Sequence, residues 1–161
     1  IDEMSSDPRT LDILSHLVCF TEPRVVVEVG TYRGWGTACL AETLRFYDIP
    51  GHVWSCDPVD YGVSEMIDQA GLSDRVTLVQ GTFEHLLTQL PEPIGFCYID
   101  ASDLREAGLR LRYAKLALAR MQPGGLVVVD DAAGDWRGAK TLRRMANLYL
   151  PHRRGLAVLV A

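Results

Sequence analysis

The sequence lacks the long apolar runs and the paired cysteines that define several large classes of protein. No apolar stretch approaches the roughly 20 residues that a membrane-spanning helix needs, and no signal-peptide pattern is present. The four cysteines among the 161 residues are scattered, without a Cys-x-x-Cys pair. We therefore expect no zinc site, no disulfide framework and no membrane association, and we expect a reducing, cytoplasmic environment.

The chain also lacks a block of positive charge. It carries 16 lysines and arginines against 21 aspartates and glutamates, a formal net charge of −5. Nucleic acids are bound mainly through their phosphates, which require clustered basic side chains. We therefore do not expect a nucleic acid as partner. A small basic group near the end of the chain is expected to lie on a solvated helix face and loop; it comprises Arg143, Arg144, Arg153 and Arg154.

No internal repeat, low-complexity segment or linker divides the sequence. Apolar residues make up 48% of the chain and charged residues 23%, which is the composition of an ordinary globular protein. A chain of this length can bury a substantial core. We therefore expect a single domain over residues 1–161.

Apolar runs alternate with helical patterns along the whole chain. Several runs are continuously apolar, as in a parallel sheet that is covered on both faces. Five alternations of strand and helix predict a Rossmann-like, doubly wound α/β fold with a mostly parallel sheet and helices on both faces. Strands are expected at 25–30, 53–56, 76–80, 94–100, 126–130 and 156–160, and the later helices at 82–90, 103–121 and 139–149. The last residues, 148–161, hold either one strand or a short hairpin.

The most informative segment is residues 25–37, where a β-branched run ends in an acid and a glycine turn. Its spacing is Glu28-x-Gly30-x-x-x-Gly34, and a helix-compatible stretch follows. Such a strand, turn and helix start forms a cradle for a nucleotide-like ligand. Dinucleotide-binding proteins use Gly-x-Gly-x-x-Gly instead, so the spacing favours S-adenosylmethionine over NAD. A plain strand-to-helix turn that needs its glycines is the alternative.

Polar residues follow the next two predicted strands. Asp57 comes somewhat over 20 residues after the glycine turn, where a carboxylate can accept hydrogen bonds from ribose hydroxyls. Capping of a turn is the alternative for Asp57, and Asp60 is a weaker candidate for the ribose. After the third strand, Phe83 and a polar neighbour could contact an adenine. Alternatively, Thr82 caps a helix and Phe83 lies in the core.

Three carboxylates follow the fourth and fifth predicted strands, those of Asp100, Asp130 and Asp131. Clustered carboxylates are costly unless they are hydrated, hydrogen-bonded or bound to a metal. An all-oxygen set suits Mg²⁺ or Ca²⁺. The alternative is that Asp100 contacts the cofactor side or caps a turn, while Asp130 and Asp131 are solvated loop residues.

Four segments together resemble a class I S-adenosylmethionine-dependent methyltransferase. More narrowly, they are similar to the small-molecule O-methyltransferases of the catechol and caffeoyl-CoA kind and to related natural-product tailoring enzymes. The resemblance extends from about residue 11 to residue 136, and it implies an antiparallel last strand. The segments are residues 27–35 (Val-Glu-Val-Gly-Thr-Tyr-Arg-Gly-Trp), 70–78, 98–101 (Tyr-Ile-Asp-Ala) and 121–131 (Met-Gln-Pro-Gly-Gly-Leu-Val-Val-Val-Asp-Asp).

The resemblance implies a role for each matching position. The methionine end of the cofactor would lie against the first turn, with Gly36 or Thr37 near its carboxylate, and Asp57 would hold the ribose. The implied catalytic residue is Asp100, and the implied metal ligands are Asp100, Asp130 and Asp131. The implied cofactor-binding residues are Glu28, Gly30, Thr31, Tyr32, Gly34, Gly36, Thr37, Asp57, Thr82, Phe83, Glu84, Asp100 and Ala101.

The sequence departs from the family pattern at three places. The last metal position, often Asn, is Asp131, which can still coordinate a hard cation. The family's lysine near the reacting hydroxyl would fall at Asp103, which is better explained as a helix cap. The segment before the first strand is short, so we expect the N-terminal helices that cover the substrate to be absent from this sequence, disordered or supplied by a partner chain.

The expected function is S-adenosylmethionine-dependent O-methylation of a small-molecule hydroxyl, assisted by Mg²⁺. A small-molecule acceptor is the expected partner, and a homodimer is compatible with the resemblance. The alternative is a non-catalytic S-adenosylmethionine-binding or scaffold protein. An NAD-dependent oxidoreductase is a third option, against which the glycine spacing argues. The sequence leaves open whether oxygen, nitrogen or carbon is methylated.

Overall fold

The computed structural model describes residues 7–101, 108–134, 138–151 and 154–161. None of the helices in these ranges is long and apolar enough to cross a membrane. In chain order the elements are α1 (Pro8–Thr21), β1 (Val25–Val29), α2 (Trp35–Phe46), β2 (His52–Asp57), α3 (Val63–Gln69), β3 (Val76–Gln80), α4 (Phe83–Leu87), β4 (Ile94–Ile99), α5 (Leu109–Leu118), β5 (Met121–Val129), α6 (Ala139–Met145), β6 (Leu148–Leu150) and β7 (Leu156–Val160).

The strands of the described residues form one sheet in the order β3-β2-β1-β4-β5-β7-β6. Strands β1 to β5 pair in parallel, and β7 runs antiparallel to both β5 and β6. The strand order reverses between β1 and β4, because β2 and β3 continue on one side of β1 and β4 starts the other. A ligand binds at such a switch point in open α/β sheets. The predicted doubly wound α/β class with an antiparallel last strand is confirmed.

Helices cover both faces of the sheet, and each face has its own apolar core. On one face the buried side chains of α1, α2 and α3 pack on the sheet, and on the other those of α4, α5 and α6 do so. Alternate residues of β1 serve the two cores: Val25, Val27 and Val29 face α4–α6, and Val26 faces α1–α3. Because side chains alternate along a strand, Glu28 points to the α1–α3 face, beneath α2.

The three later helices end earlier than predicted, and α4 ends at Leu87 instead of residue 90. Met121 was expected to end a helix, but it begins β5, where it pairs with Ile94 before a register shift. The last helix was expected to reach residue 149, but α6 ends at Met145, because Leu148–Leu150 pair with β7 instead. The alternative left open for residues 148–161 is thereby decided in favour of a hairpin.

Candidate functional site

The carboxyl ends of β1, β2, β4 and β5 meet at one edge of the sheet, and hydrogen bonds hold the residues that follow them in a row. The N–H groups of Gly30 and Thr31 both donate to the Cys56 carbonyl, at 2.9 and 3.3 Å. Asp100 N–H donates to Val29 O and Asp130 N–H to Ile99 O, each at 2.9 Å. The positions that follow the strands are therefore fixed by the sheet itself.

The turn after β1 requires its first glycine. Gly30 has φ of +103°, and a Cβ there would lie 2.8 Å from the Asp100 carbonyl oxygen. L-residues with a side chain disfavour such a φ, and a backbone atom cannot rotate out of the way. Gly34 ends the turn in the left-handed conformation and precedes α2 without a side-chain cap. The first N–H groups of α2 therefore have no capping side chain, an arrangement that suits an anionic ligand group.

Glu28 lies beneath α2 in a buried network of hydroxyl groups. The Thr37 hydroxyl and the Ser55 hydroxyl both donate to Glu28 Oε2, the latter at 2.6 Å. The hydroxyls of Thr31 and Ser55 are 2.6 Å apart. A Cβ on Gly36 would lie 2.1 Å from Glu28 Oε1, so this glycine makes room for the carboxylate. Burial raises the pKa of Glu28 to about 7, and the bonds from Ser55 and Thr37 oppose that rise.

Substituting Glu28 with glutamine should reduce the dependence of stability on pH. The raised pKa means that the folded state holds a proton that the unfolded state has released, so stability is lost as pH rises from about 4.5 towards 7. Relative to the wild type, Glu28→Gln should therefore gain on the order of 3 kcal/mol in unfolding free energy over that interval. Urea unfolding of the wild type and the variant at pH 5 and pH 8 measures this difference in unfolding free energy. The half-exposed Glu42→Gln on α2 is the control, and an equal change in both variants would contradict the assignment.

A cleft opens beside the glycine turn, between the ends of β1, β2 and β3. Its cavity volume is about 160 Å³, and Thr31, Tyr32 and Asp57 line it together with Tyr61. Asp57 Oδ2 accepts the N–H of Tyr32 at 3.1 Å, and Asp57 Oδ1 accepts the N–H of Val59 at 2.9 Å. A carboxylate has about four acceptor sites, so two remain for ligand hydroxyls. The arrangement fits a ribose held by Asp57.

Of the thirteen predicted cofactor-binding residues, Gly30 and Gly34 form the turn after β1, and Asp100 and the buried Ala101 follow β4. The other nine divide into three groups. Thr31, Tyr32 and Asp57 line the cleft, which also reaches Leu78, Val79 and Gln80. Glu28, Gly36 and Thr37 are buried beneath it and support it from below. A third group lies outside the cleft: Thr82 caps α4 by accepting the His85 N–H, the Phe83 ring is fully buried against Tyr113, and Glu84 pairs with Arg112.

The carboxylates of Asp100, Asp130 and Asp131 lie together at the ends of β4 and β5, and Arg154 joins them. Its Nε and Nη2 bind Asp131 Oδ1 and Oδ2 at 2.6 and 3.1 Å. Nη2 lies 3.5 Å from Asp100 Oδ1, and Nε lies 3.7 Å from Asp130 Oδ2. Arg110 Nη2 binds Asp131 Oδ2 at 2.8 Å. Two guanidinium groups therefore contact a cluster of three acids.

The protein supplies further donors to this acidic cluster. The buried Tyr98 hydroxyl is 3.3 Å from Asp100 Oδ2 and 3.2 Å from Asp130 Oδ2, and the Asp131 N–H donates to Asp130 Oδ1 at 2.8 Å. Burial and the neighbouring Asp130 raise the pKa of Asp100 to about 7, while Arg154 opposes the rise. Burial also raises the pKa of Asp130. The cluster is thus held by arginine, hydroxyl and backbone donors.

A divalent cation does not fit this arrangement. Three carboxylates have the right chemistry for Mg²⁺, but each already faces the Arg154 guanidinium. Among the residues that the structure describes, no group of three or more His, Cys, Asp or Glu side chains is arranged to hold a metal ion. The predicted convergence of the three aspartates is present, but their partner is arginine.

Sequence reasoning missed three residues of this region. Arg154 was expected to be solvated, but its side chain is only 21% exposed because it lies against the acidic cluster. Arg110 was not singled out, although it is 7% exposed. Ser55 pairs in register with Glu28 on the neighbouring strand. Two polar residues in register within apolar parallel strands were a signal that could have revealed that contact. Asp103 and Arg153 lie outside the described residues.

Comparison with known proteins identifies the family. Residues 27–132 match a family described as methyltransferase domain. No curated protein matches the chain significantly. The match and the fold confirm the resemblance on which the sequence-based predictions rested.

Solved structures with the same fold include several methyltransferases. The O-methyltransferase from Bacillus cereus, in complex with SAH, is 24% identical, with a TM-score of 0.69; the match covers 91% of this chain and 66% of that one. The O-methyltransferase TomG from Streptomyces achromogenes, involved in tomaymycin synthesis and in complex with SAM, is 18% identical, with a TM-score of 0.74 and coverage of 100% and 83%. A methyltransferase from Geobacter sulfurreducens is 18% identical, with a TM-score of 0.78 and coverage of 98% and 81%. These likenesses show the fold.

Proposed function

Because the chain belongs to the methyltransferase-domain family, we propose that it is an S-adenosylmethionine-dependent methyltransferase that methylates a hydroxyl group of a small molecule. The observation that supports this most directly is the cleft beside the glycine turn, with Asp57 at the end of β2. The solved O-methyltransferases with this fold, which were crystallised with SAM or SAH, support the cofactor and the target atom.

The residues around the cleft and the glycine turn would contact different parts of the cofactor. Asp57 accepts the ribose hydroxyls, and Tyr32 and Tyr61, whose rings meet edge to face at 5.0 Å, form one wall of the cleft. The turn from Gly30 to Gly34 brings backbone close to the methionine end, and the uncapped start of α2 lies near its carboxylate. Glu28 acts from below, by holding Thr37 and Ser55 under this turn.

The methyl acceptor approaches from the side of β4. When bound, S-adenosylmethionine would supply a sulfonium methyl group for in-line transfer to the acceptor oxygen, with the C–S electron pair left on sulfur and the hydroxyl proton released to solvent. Asp100 follows the strand next to β1, so we propose it as the catalytic residue nearest the reacting centre. The proposed reaction does not use Mg²⁺, because Arg154 contacts all three carboxylates of the acidic cluster.

Calorimetry with S-adenosylmethionine, followed by turnover against a panel of phenols and sugar hydroxyls, tests the proposal. We expect saturable binding of the cofactor to the intact chain and formation of S-adenosylhomocysteine with at least one hydroxyl acceptor. Binding without turnover on any acceptor would favour the non-catalytic alternative. Absence of binding, or displacement by NAD, would contradict the proposal outright.

We further propose that residues 1–161 act as one methyltransferase domain with a small-molecule partner. The chain spans 66% of the length of the Bacillus cereus protein and about four fifths of the two others. We therefore propose a small-molecule acceptor for the whole protein, and the panel of phenols and sugar hydroxyls tests that acceptor specificity.

A further inference from the structure

Among the residues that the structure describes, Arg154 contacts all three carboxylates of the acidic cluster, meaning Asp100, Asp130 and Asp131. The Arg154 guanidinium binds Asp131 with two nitrogens at 2.6 and 3.1 Å and reaches the other two carboxylates at 3.5 and 3.7 Å. A planar guanidinium carries five N–H donors in a fixed fork, so a single group can serve several oxygens. The space between the three carboxylates is thus filled by a cation of the chain itself.

The backbone fixes Arg154 in this position. The Arg154 carbonyl accepts the Ala133 N–H at 3.0 Å, and the Gly155 carbonyl accepts the Ala132 N–H at 2.9 Å. Gly155 has φ of +74°, and a Cβ there would lie 2.6 Å from the Ala133 nitrogen. Backbone hydrogen bonds therefore hold the two residues before β7 on the loop after β5. The Arg154 side chain thus starts from a fixed backbone position beside the acidic cluster.

The charges also match those of a divalent cation. Arg110 on α5 is 7% exposed and binds Asp131 Oδ2 at 2.8 Å. Within the described part of the chain, these two arginines together bring two positive charges to the three carboxylates. Buried carboxylates need such compensation, and a divalent cation placed among them would face both guanidinium groups.

We propose that Arg154, supported by Arg110, takes the place of a divalent cation in this site and holds Asp100, Asp130 and Asp131 together without a metal. The proposal rests on the proposed function only for its catalytic consequence, which is that methyl transfer proceeds in the presence of a chelator. The replacement of the cation is itself a statement about binding, so it is tested without turnover.

Removing the arginine should create a cation site. In Arg154→Ala the carboxylates lose their common partner, and we expect this variant to bind Mn²⁺ and Mg²⁺ at millimolar concentration. Binding should raise its melting temperature by about 5 °C. The wild type should show no saturable heat of cation binding and no shift in melting temperature. Differential scanning fluorimetry and calorimetry of the full chain, titrated with each chloride salt, provide both readouts.

Two further variants separate charge from general destabilisation. Arg154→Lys keeps one positive charge and should stay insensitive to the cations, and Arg144→Ala removes an exposed arginine of α6 and should behave as the wild type. If Arg154→Ala does not fold alone, Mn²⁺ should restore its circular dichroism. Saturable cation binding by the wild type, or no gain or rescue in Arg154→Ala, would overturn the proposal. A wild type that binds no cation and shows no turnover would count against the proposed function alone.

Discussion

Replacing Asp57 with alanine is expected to weaken S-adenosylmethionine binding by about 100-fold or more. Hydrogen bonds to a charged group contribute about 1.5–3 kcal/mol each, and two ribose hydroxyls would lose theirs. A loss of about 3 kcal/mol corresponds to about 100-fold in affinity. The carboxylate is available for this role because its two oxygens each accept a single backbone N–H, from Tyr32 and Val59. Calorimetric titration of the wild type and of the variant measures the loss.

The matched control for this change is Asp60→Ala. Asp60 lines the same cleft, and its side chain also accepts an N–H two residues ahead, that of Gly62 at 2.8 Å. Both substitutions therefore remove a carboxylate and one local turn bond, but Asp57 alone ends a strand beside the glycine turn and also accepts the Tyr32 N–H. We expect Asp60→Ala to change cofactor affinity by less than about threefold, equivalent to under about 0.7 kcal/mol. Equal losses in both variants would contradict the assignment of the ribose to Asp57.

The sequence was sufficient to predict the sheet because the strands are local apolar patterns. The predicted bounds of β3 and β7 agree with the structure, and those of β1 and β4 differ by one residue at one end. The ends that failed depend on pairing with another strand. Met121 joins the sheet by pairing with Ile94, and Leu148–Leu150 do so by pairing with β7. A helical period cannot reveal such pairing.

The acidic cluster shows the same limit at the level of the site. Its three aspartates could be predicted because each follows a strand, and parallel strands bring their carboxyl ends to one edge. Arg154 could not, because β7 enters between β5 and β6 and so carries the start of its strand back to the end of β5. A basic residue far along the chain then becomes the partner of acids for which the sequence left both a metal ion and a metal-free role open. The sequence predicted that the three carboxylates need a compensating partner, but it did not predict that Arg154 supplies the positive charge.

Replacing Gly30 with alanine is expected to destabilise the fold by about 4 kcal/mol and to weaken cofactor binding. The new Cβ would lie 2.8 and 2.9 Å from the backbone O and C of Asp100, so β1 and β4 must separate. That separation would strain the bond from Asp100 N–H to Val29 O and move Asp100 relative to the glycine turn. Urea unfolding measures the first effect, and cofactor titration measures the second.

Gly62→Ala separates the two causes of this loss. Gly62 precedes α3 with φ of +70°, and a Cβ there would meet nothing within 4 Å. The substitution thus imposes the left-handed backbone cost, about 1–2 kcal/mol, without a collision. A larger loss in Gly30→Ala than in Gly62→Ala would therefore measure the close approach of β1 and β4 at the switch point. Equal losses would mean that the turn after β1 needs glycine only for its dihedral angle, and that Asp100 can move away without cost.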